Sequence, residues 1–195
     1  MRHVMTVPFS TNGPTRRDAV VRRKALLDAA IECFEAHGYS VPLEEIADRA
    51  GVGRGTLYRN FKDRVALALA IFEREIERLN DIADLNLPFE QALRKMVLQG
   101  ARMSSLFARL AAEVQLTDDH IAAFHQLGLR AQRAMEPLAR RAHAERQLRD
   151  DIGAAEILIA VRMLGGLCKP FKDEAEIEAQ VDAGLAMLLA GIAPR

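Results

Sequence analysis

Side chains that can bind phosphate and the edges of nucleic-acid bases are concentrated in one short stretch, residues 54–64. They are Arg54, Thr56, Tyr58, Arg59, Asn60, Lys62 and Arg64, together with Gly55, which has no side chain to obstruct a close approach. Arginine can bind guanine through two donors at once, and hydroxyl, amide and ammonium groups can bind phosphate. This stretch therefore has the chemistry of a nucleic-acid contact surface.

The residues around this stretch have the pattern of two short helices joined by a tight turn. Ala47 supplies a small residue where two helices cross, and Gly51 tolerates the positive φ that such a turn needs. The apolar residues Val52, Leu57 and Phe61 can pack the second helix against its neighbours, which turns the polar side chains outward. Residues 43–62 are therefore predicted to form a helix-turn-helix, whose second helix enters a major groove.

Two longer helices are predicted to hold this motif. The first runs from about Arg17 to His37, with apolar residues three and four apart, and Gly38 ends it. Asp63 is placed to cap a fourth helix over 63–84, which has a continuous apolar stripe. The motif is thus expected to be the end of a three-helix head joined to the rest of the chain by a long helix.

Over residues 17–72 the sequence resembles the TetR family of bacterial transcriptional regulators. The resemblance rests on Gly38-Tyr39, Glu45-Ile46-Ala47, Ala50-Gly51-Val52, Gly55-Thr56-Leu57-Tyr58, Phe61 and Lys62-Asp63-Arg64. The sequence departs from the family pattern at Pro42, where the family often has threonine, and at Gly53, where it often has serine. These departures remove one phosphate-binding side chain and weaken one helix cap.

The resemblance implies roles for particular residues. Tyr58 and either Lys62 or Arg64 would contact phosphate, and Arg54, Gly55, Thr56 and Arg59 would face the bases. It also implies a pseudo-palindromic operator in double-stranded DNA, a homodimer, and a small-molecule effector of unknown identity. The basic cluster that includes Arg16 and Arg17 is either a solvated helix face or an arm that reaches phosphate.

The whole chain is predicted to be all-α, because nearly every segment after residue 15 has helical periodicity. The expected parts are a flexible arm over 1–15, a DNA-binding domain over 16–62, the connecting helix over 63–84 and a ligand-binding and dimerisation domain over 85–195. In that last domain, helices are predicted at about 89–103, 105–115, 118–145, 153–168 and 174–190. Pro137 is expected to kink or split the third of these.

Composition excludes some classes of protein. The 195 residues carry no net charge, which argues against non-specific coating of nucleic acid, although residues 1–64 have eleven basic against eight acidic side chains. No apolar run approaches the ~18 residues of a membrane helix, so a soluble cytoplasmic protein without membrane contact is expected. Cys33 and Cys168 are expected to be buried thiols, and a disulfide between them is the alternative.

The residues of the ligand site and of the dimer interface are less strongly indicated. Methionine and aromatic side chains suit an apolar ligand of variable shape, although the alternative for each is a place in the core. The candidates are Met96, Met103, Phe107, Phe124 and Met163. The last two helices have apolar stripes, and the resemblance implies that these stripes pair with their copies in a second subunit, with an intramolecular core as the alternative. These residues are Ile157, Val161, Leu164, Val181, Leu185 and Leu188.

Two other classes of protein compete with a regulator. An enzyme is disfavoured, because the five histidines show no metal-binding spacing and no phosphate-binding loop follows a strand; no catalytic residue, metal or cofactor is predicted. The remaining alternative is a helical adaptor or corepressor with a vestigial DNA motif and no ligand. The favoured interpretation is a repressor released from DNA when a ligand in the C-terminal domain displaces the fourth helix.

Overall fold

The computed structural model describes residues 16–167 and 173–192. This part of the chain is helical and contains no strand, which confirms the all-α prediction. The helices are α1 (Arg16–His37), α2 (Leu43–Arg49), α3 (Arg54–Asn60), α4 (Arg64–Asp84), α5 (Phe89–Glu113), α6 (Asp118–Ala134), α7 (Glu136–Ala144), α8 (Ala154–Leu167) and α9 (Glu174–Ile192). The arm predicted over 1–15 and Cys168 lie outside the described residues.

The turns of the head form where the sequence predicted them. Gly38 follows α1 with φ +76°, and Gly51 joins α2 to α3 with φ +66°, a conformation that glycine adopts without steric cost. Asp63 caps α4, and its carboxylate accepts a hydrogen bond from the Ala66 N–H at 2.7 Å. Pro42 and Gly53 precede α2 and α3 without a side-chain cap, as their residue types require.

Helix α5 is longer than predicted. The sequence pattern indicated two helices at 89–103 and 105–115, but a single helix runs from Phe89 to Glu113. Serine favours helix ends over helix interiors only weakly, and packing overrides that preference here. The buried residues Val97, Ala101, Leu106 and Leu110 form a stripe that continues through the expected break.

The break at Pro137 is confirmed. Helix α6 ends at Ala134, and α7 begins at Glu136 with the proline in its first turn, where a missing N–H costs no helical hydrogen bond. Arg141 of α7 donates a hydrogen bond to the carbonyl oxygen of Ala83 at 3.1 Å. The short helix therefore closes the C-terminal end of α4.

The buried residues form two cores, which share α4 and α5. The head core contains apolar residues of α1 to α3, the first part of α4, and Leu106 and Leu110 from the end of α5. The body core contains the second part of α4, the first part of α5, and apolar residues of α6 to α9. Two helices, and not only the predicted fourth, therefore connect the head to the body.

One charged side chain is buried between these helices. Glu75 of α4 is 3% exposed, and it accepts hydrogen bonds from Arg78 at 2.8 Å and from the amide of Gln99 on α5. Because a buried carboxylate is costly unless it is paired, these partners stabilise the α4–α5 contact.

None of the described helices is long and apolar enough to cross a lipid bilayer.

Candidate nucleic-acid interface

Helix α3 has one buried face and one exposed face. Leu57 is 1% exposed and packs in the head core together with Phe61. Arg54, Gly55, Tyr58, Arg59 and Asn60 are exposed, and Thr56 is half-buried. The apolar residues thus fix the orientation of the helix, and its polar side chains lie on the surface as predicted.

Two of the polar side chains on α3 bond to a third residue. Arg59 donates from Nη2 to the hydroxyl oxygen of Thr56 at 3.0 Å, and the Asn60 amide donates to the Thr56 carbonyl oxygen at 2.8 Å. Because the groups in these bonds are exposed, they can form hydrogen bonds to DNA instead. A Cβ added to Gly55 would meet only Arg59 Nη1, at 3.5 Å, so the surface is open at this residue.

Tyr58 has an acidic partner that sequence reasoning did not anticipate. Its hydroxyl donates a hydrogen bond to Oε1 of Glu44, on α2, at 3.0 Å. This bond raises the pKa of Tyr58. The pKa of Glu44 is lowered, first by a hydrogen bond from the backbone N–H of Glu44 itself and then by the hydrogen bond from Tyr58. Glu44 is therefore ionised at neutral pH, and it lies beside the hydroxyl that is predicted to contact phosphate.

The two basic residues that were predicted as phosphate anchors differ in their surroundings. The side chain of Lys62 is 79% exposed and lies 3.9 Å from the carboxylate of Asp63. Arg64 is half-buried and donates to the carbonyl oxygen of Val41 at 2.7 Å, and burial lowers its pKa. Lys62 is thus available to a phosphate, whereas Arg64 also stabilises the loop before α2.

The basic cluster at the start of α1 has two kinds of members. Arg16 and Arg17 are exposed at the first turn. The guanidinium of Arg23 lies over the ring of Phe61, 4.8 Å from its centroid, in a cation–π contact. Arg23 therefore packs α1 onto the end of α3, a structural role that the basic spacing alone did not distinguish.

The C-terminal turn of α5 binds the end of α1. Arg109 donates to the carbonyl oxygens of Phe34 and Glu35 at 3.0 and 2.8 Å, and Glu113 accepts from the Tyr39 N–H at 2.7 Å. No local pattern indicated these contacts, because the partners are 74 or 75 residues apart in the sequence. We refer to Arg109 and Glu113 as the α5 clamp.

The predicted ligand residues do not surround one cavity in the described structure. Met96 is fully buried in the body core, whereas Met163 is 63% exposed on α8. Phe124 packs edge-on against Phe72, with ring centroids 5.6 Å apart. The side chains of Met103 and Phe107 lie outside the described part of the structure. Met163 lines a small apolar cavity of about 100 Å³ between α8 and α9.

A larger groove of about 420 Å³ lies where head and body meet. It is lined by the loop before α2, the start of α4, the end of α5 and His120 of α6. In the described residues, no cluster of three or more His, Cys, Asp or Glu side chains could hold a metal ion.

The predicted dimer residues face inward. Five of the six pack in the body core, and Leu188 is partly buried against that core. The residues in the core are Ile157, Val161, Leu164, Val181 and Leu185. Their burial within this chain is what the alternative of an intramolecular core expects, and their part in a dimer stays a prediction. The opposite face exposes Ile159, Met163 and Met187, which are 54%, 63% and 80% exposed.

Comparison with known proteins agrees with the geometry of the head. Residues 26–71 match the family model described as "Bacterial regulatory proteins, tetR family". The chain is 44% identical over 59 residues to the HTH-type transcriptional activator FasR of Mycolicibacterium smegmatis, a match that covers 30% of this chain and 27% of that protein. It is 28% identical over 138 residues to the HTH-type transcriptional repressor AcnR of Corynebacterium diphtheriae, covering 68% and 70%.

The fold is also that of a solved regulator. The TetR transcriptional regulator SCO0520 from Streptomyces coelicolor superimposes with a TM-score of 0.65 at 28% identity, over 88% of this chain and 98% of that one. The sequence match to FasR is confined to about a quarter of its length, whereas the structural match extends over head and body.

Proposed function

We propose that this chain, which belongs to the TetR family of bacterial regulatory proteins, is a repressor that binds a pseudo-palindromic operator as a homodimer and is released by a small molecule. The relatives described above are DNA-binding transcriptional regulators, and this general function is the basis of the proposal. The observation that carries the proposal is the exposed polar face of α3, held in place by the buried residues Leu57 and Phe61.

On DNA, the residues of this face divide by what they can contact. Arg54 and Arg59 are exposed and can bind guanine O6 and N7, so they are assigned to base recognition, with Gly55 allowing a close approach. Tyr58 and Lys62 are assigned to phosphate, which fixes the register of the helix in the groove without reading its sequence. Arg16 and Arg17, which are exposed at the start of α1, are assigned further phosphate contacts in this proposal.

The proposed homodimer uses the outer face of α8 and α9. A two-fold operator requires two heads at a fixed separation of one helical turn, about 34–36 Å, or a multiple of it. Exposed apolar residues at Ile159, Met163 and Met187 are unusual for a surface that meets only water, and they fit an isologous interface between two copies of the chain.

Release by a ligand would act through the two helices that the cores share. A small molecule that enters the body near Phe124 and the adjoining part of α5 would shift α4 and α5, and both are packed in the head core. The α5 clamp would pass that shift to α1. The separation of the two heads would then no longer fit the operator, so that ligand and DNA each weaken the binding of the other.

The test is binding of the full-length protein to DNA upstream of its own coding region and to sequences selected from a random pool. Fluorescence anisotropy at several salt concentrations should give an affinity that falls as salt rises, because phosphate contacts release counterions. Tyr58→Phe should weaken binding to all sequences alike, whereas Arg59→Ala should relax specificity at one base pair by about 1–3 kcal/mol.

Arg133→Ala, an exposed change on α6 far along the chain from the motif, is the matched control and should leave binding unchanged. If the dimer binds neither the upstream DNA nor any selected sequence at low salt, the result would instead support the alternative function, a helical adaptor or corepressor with a vestigial DNA motif. Equal and negligible effects of the Tyr58 and Arg59 substitutions on a protein that does bind DNA would exclude α3 as the recognition helix.

A further inference from the structure

The hydrogen bond between Tyr58 and Glu44 lies on the surface that the proposed function assigns to DNA, and its consequence for binding rests on that function. Tyr58 is 48% exposed, so a phosphate can approach its hydroxyl. Glu44 is half-buried at the start of α2, fourteen residues before Tyr58, and its Oε1 lies 3.0 Å from that hydroxyl. The group assigned to phosphate is thus already paired with an anion.

A tyrosine hydroxyl has a single proton to donate. It cannot give that proton to the Glu44 carboxylate and to a DNA phosphate at the same time, and both are charged acceptors. A phosphate that binds Tyr58 must therefore displace Glu44. The displaced carboxylate gains no proton, so its negative charge stays close to the phosphate that replaced it.

From this geometry we propose that Glu44 is an internal competitor of the DNA phosphate for the hydroxyl of Tyr58. In the free protein it holds the side chain of Tyr58 against α2. On DNA binding the hydroxyl changes its acceptor from the carboxylate to the phosphate. Because a phosphate contact carries no sequence information, the competition lowers the affinity for all DNA alike, and stable binding then depends more strongly on base contacts from Arg54 and Arg59.

The neighbouring charges are consistent with a carboxylate that remains ionised during this exchange. Arg54 and Arg64 both lie close enough to Glu44 to favour its charged form. Glu45, the next residue, is a more exposed carboxylate on α2, and its charge acts on Cys33 of α1. The chain therefore offers a control with the same charge and nearly the same position, without the bond.

The experiment is a double-mutant cycle on the full-length protein, with DNA affinity as the readout. The variants are Glu44→Ala, Tyr58→Phe, the combination of both, and Glu45→Ala alone and with Tyr58→Phe. Each is titrated against a labelled operator duplex and an unrelated duplex of equal length at one salt concentration. Circular dichroism and thermal unfolding confirm that each variant is folded, and Glu44→Gln replaces Glu44→Ala if the alanine variant is not.

We expect Glu44→Ala to strengthen binding to both duplexes by about threefold to tenfold when Tyr58 is present, the range of one typical hydrogen bond in a protein. With phenylalanine at 58 the gain should fall to about twofold or less, since no hydroxyl remains to be released. Glu45→Ala should have the same effect with either residue at position 58.

Three results would overturn the inference. Equal gains from Glu44→Ala in both backgrounds would mean that its charge acts on DNA without Tyr58. Weaker binding to both duplexes would mean that Glu44 positions Tyr58 for the complex, and weaker binding to the operator alone would mean that it reads a base. Failure of the unmodified protein to bind any DNA is a different result, which would contradict the proposed function itself.

Discussion

Gly38 and Glu113 lie in direct contact, although they are far apart in the sequence. A Cβ added to Gly38 would stand 2.9 Å from Oε2 of Glu113, which is closer than non-bonded atoms pack. The same carboxylate accepts a hydrogen bond from the N–H of Tyr39, the residue after the glycine. The turn that ends α1 is therefore also the place where the end of α5 is held against the head.

Substitution of Gly38 is expected to cost more than substitution of the other turn glycine. Gly38→Ala and Gly51→Ala both place a side chain at positive φ, at a cost of about 1–2 kcal/mol each. Gly51 has no atom within 4 Å of an added Cβ, so only Gly38→Ala also displaces Glu113. We expect a further loss of about 1–2 kcal/mol from the hydrogen bond to Tyr39, measured by urea unfolding.

Glu113→Ala supplies the control for this comparison. In that background the contact is absent, so Gly38→Ala and Gly51→Ala should have nearly equal effects. If Gly38→Ala remains the more destabilising of the two, the extra cost does not come from Glu113.

Arg109→Ala is expected to loosen the end of α1. Arg109 donates to two backbone carbonyl oxygens there, and the loss of both bonds from a partly exposed arginine should cost about 1–2 kcal/mol. Amide hydrogen exchange should be faster in the last turns of α1. Arg130→Ala is the matched change, because Arg130 pairs with Glu73 at 3.0 Å with both side chains 44% exposed, and such a pair contributes less than about 1 kcal/mol.

If the two substitutions change stability and exchange equally, the clamp is no more than a surface contact. In a protein that binds DNA, Arg109→Ala should also weaken operator binding, since the position of the head depends on it.

A charge on the outer face of α8 or α9 is expected to dissociate the proposed dimer. Met163→Asp and Met187→Asp each place a carboxylate among exposed apolar residues and should give a monomer in light scattering after gel filtration, with helix content unchanged. Ile121→Asp, on an α6 residue that is 55% exposed, should leave the dimer intact. Dimers that survive both methionine substitutions would place the interface elsewhere.

Cys33 is expected to react with alkylating reagents only when the head unfolds. Its side chain is 1% exposed, and burial raises the pKa of its thiol above the ordinary 9.0. The native state therefore binds the thiol proton more tightly than the unfolded chain does. The stability that this provides is complete below about pH 9 and is lost as the pH rises through the higher native pKa.

The measurement compares Cys33 with Cys33→Ala, both in a Cys168→Ser chain. The difference in unfolding free energy between them should shrink as the pH rises above about 9, and alkylation at neutral pH should follow the unfolded fraction. A difference that is constant or that grows with pH would contradict a raised thiol pKa in the native state.

Local sequence patterns predicted the head well because its geometry depends on local requirements. Gly38 and Gly51 occupy turns that need positive φ, and Asp63 caps the helix that follows it. Leu57 is the apolar, buried residue among the polar residues of α3. Each of these features is decided by neighbours within a few residues, so a single sequence contains the information.

The features that sequence reasoning missed all depend on distant residues. The apolar stripe over 157–188 correctly marked buried faces of α8 and α9, but a stripe does not say whether it meets the same chain or a partner. The break expected at Ser104 is absent, because Leu106 and Leu110 pack in the head core as part of the same helix. The acidic partner of Tyr58 was missed for the same reason, since Glu44 meets it only after α2 and α3 cross.

The presence of Leu106 and Leu110 in the head core also limits how this chain can be recombined. A chimera that joins residues 16–84 to the body of a relative would replace those two leucines and Arg109 with the residues at the end of the relative's own α5. The packing beside α1 and the hydrogen bonds to the carbonyl oxygens of Phe34 and Glu35 would then depend on how well those residues match. The transferable unit is discontinuous: it consists of the head together with the last two turns of α5. Grafts designed at a boundary within the connecting helix would separate residues that fold as one piece.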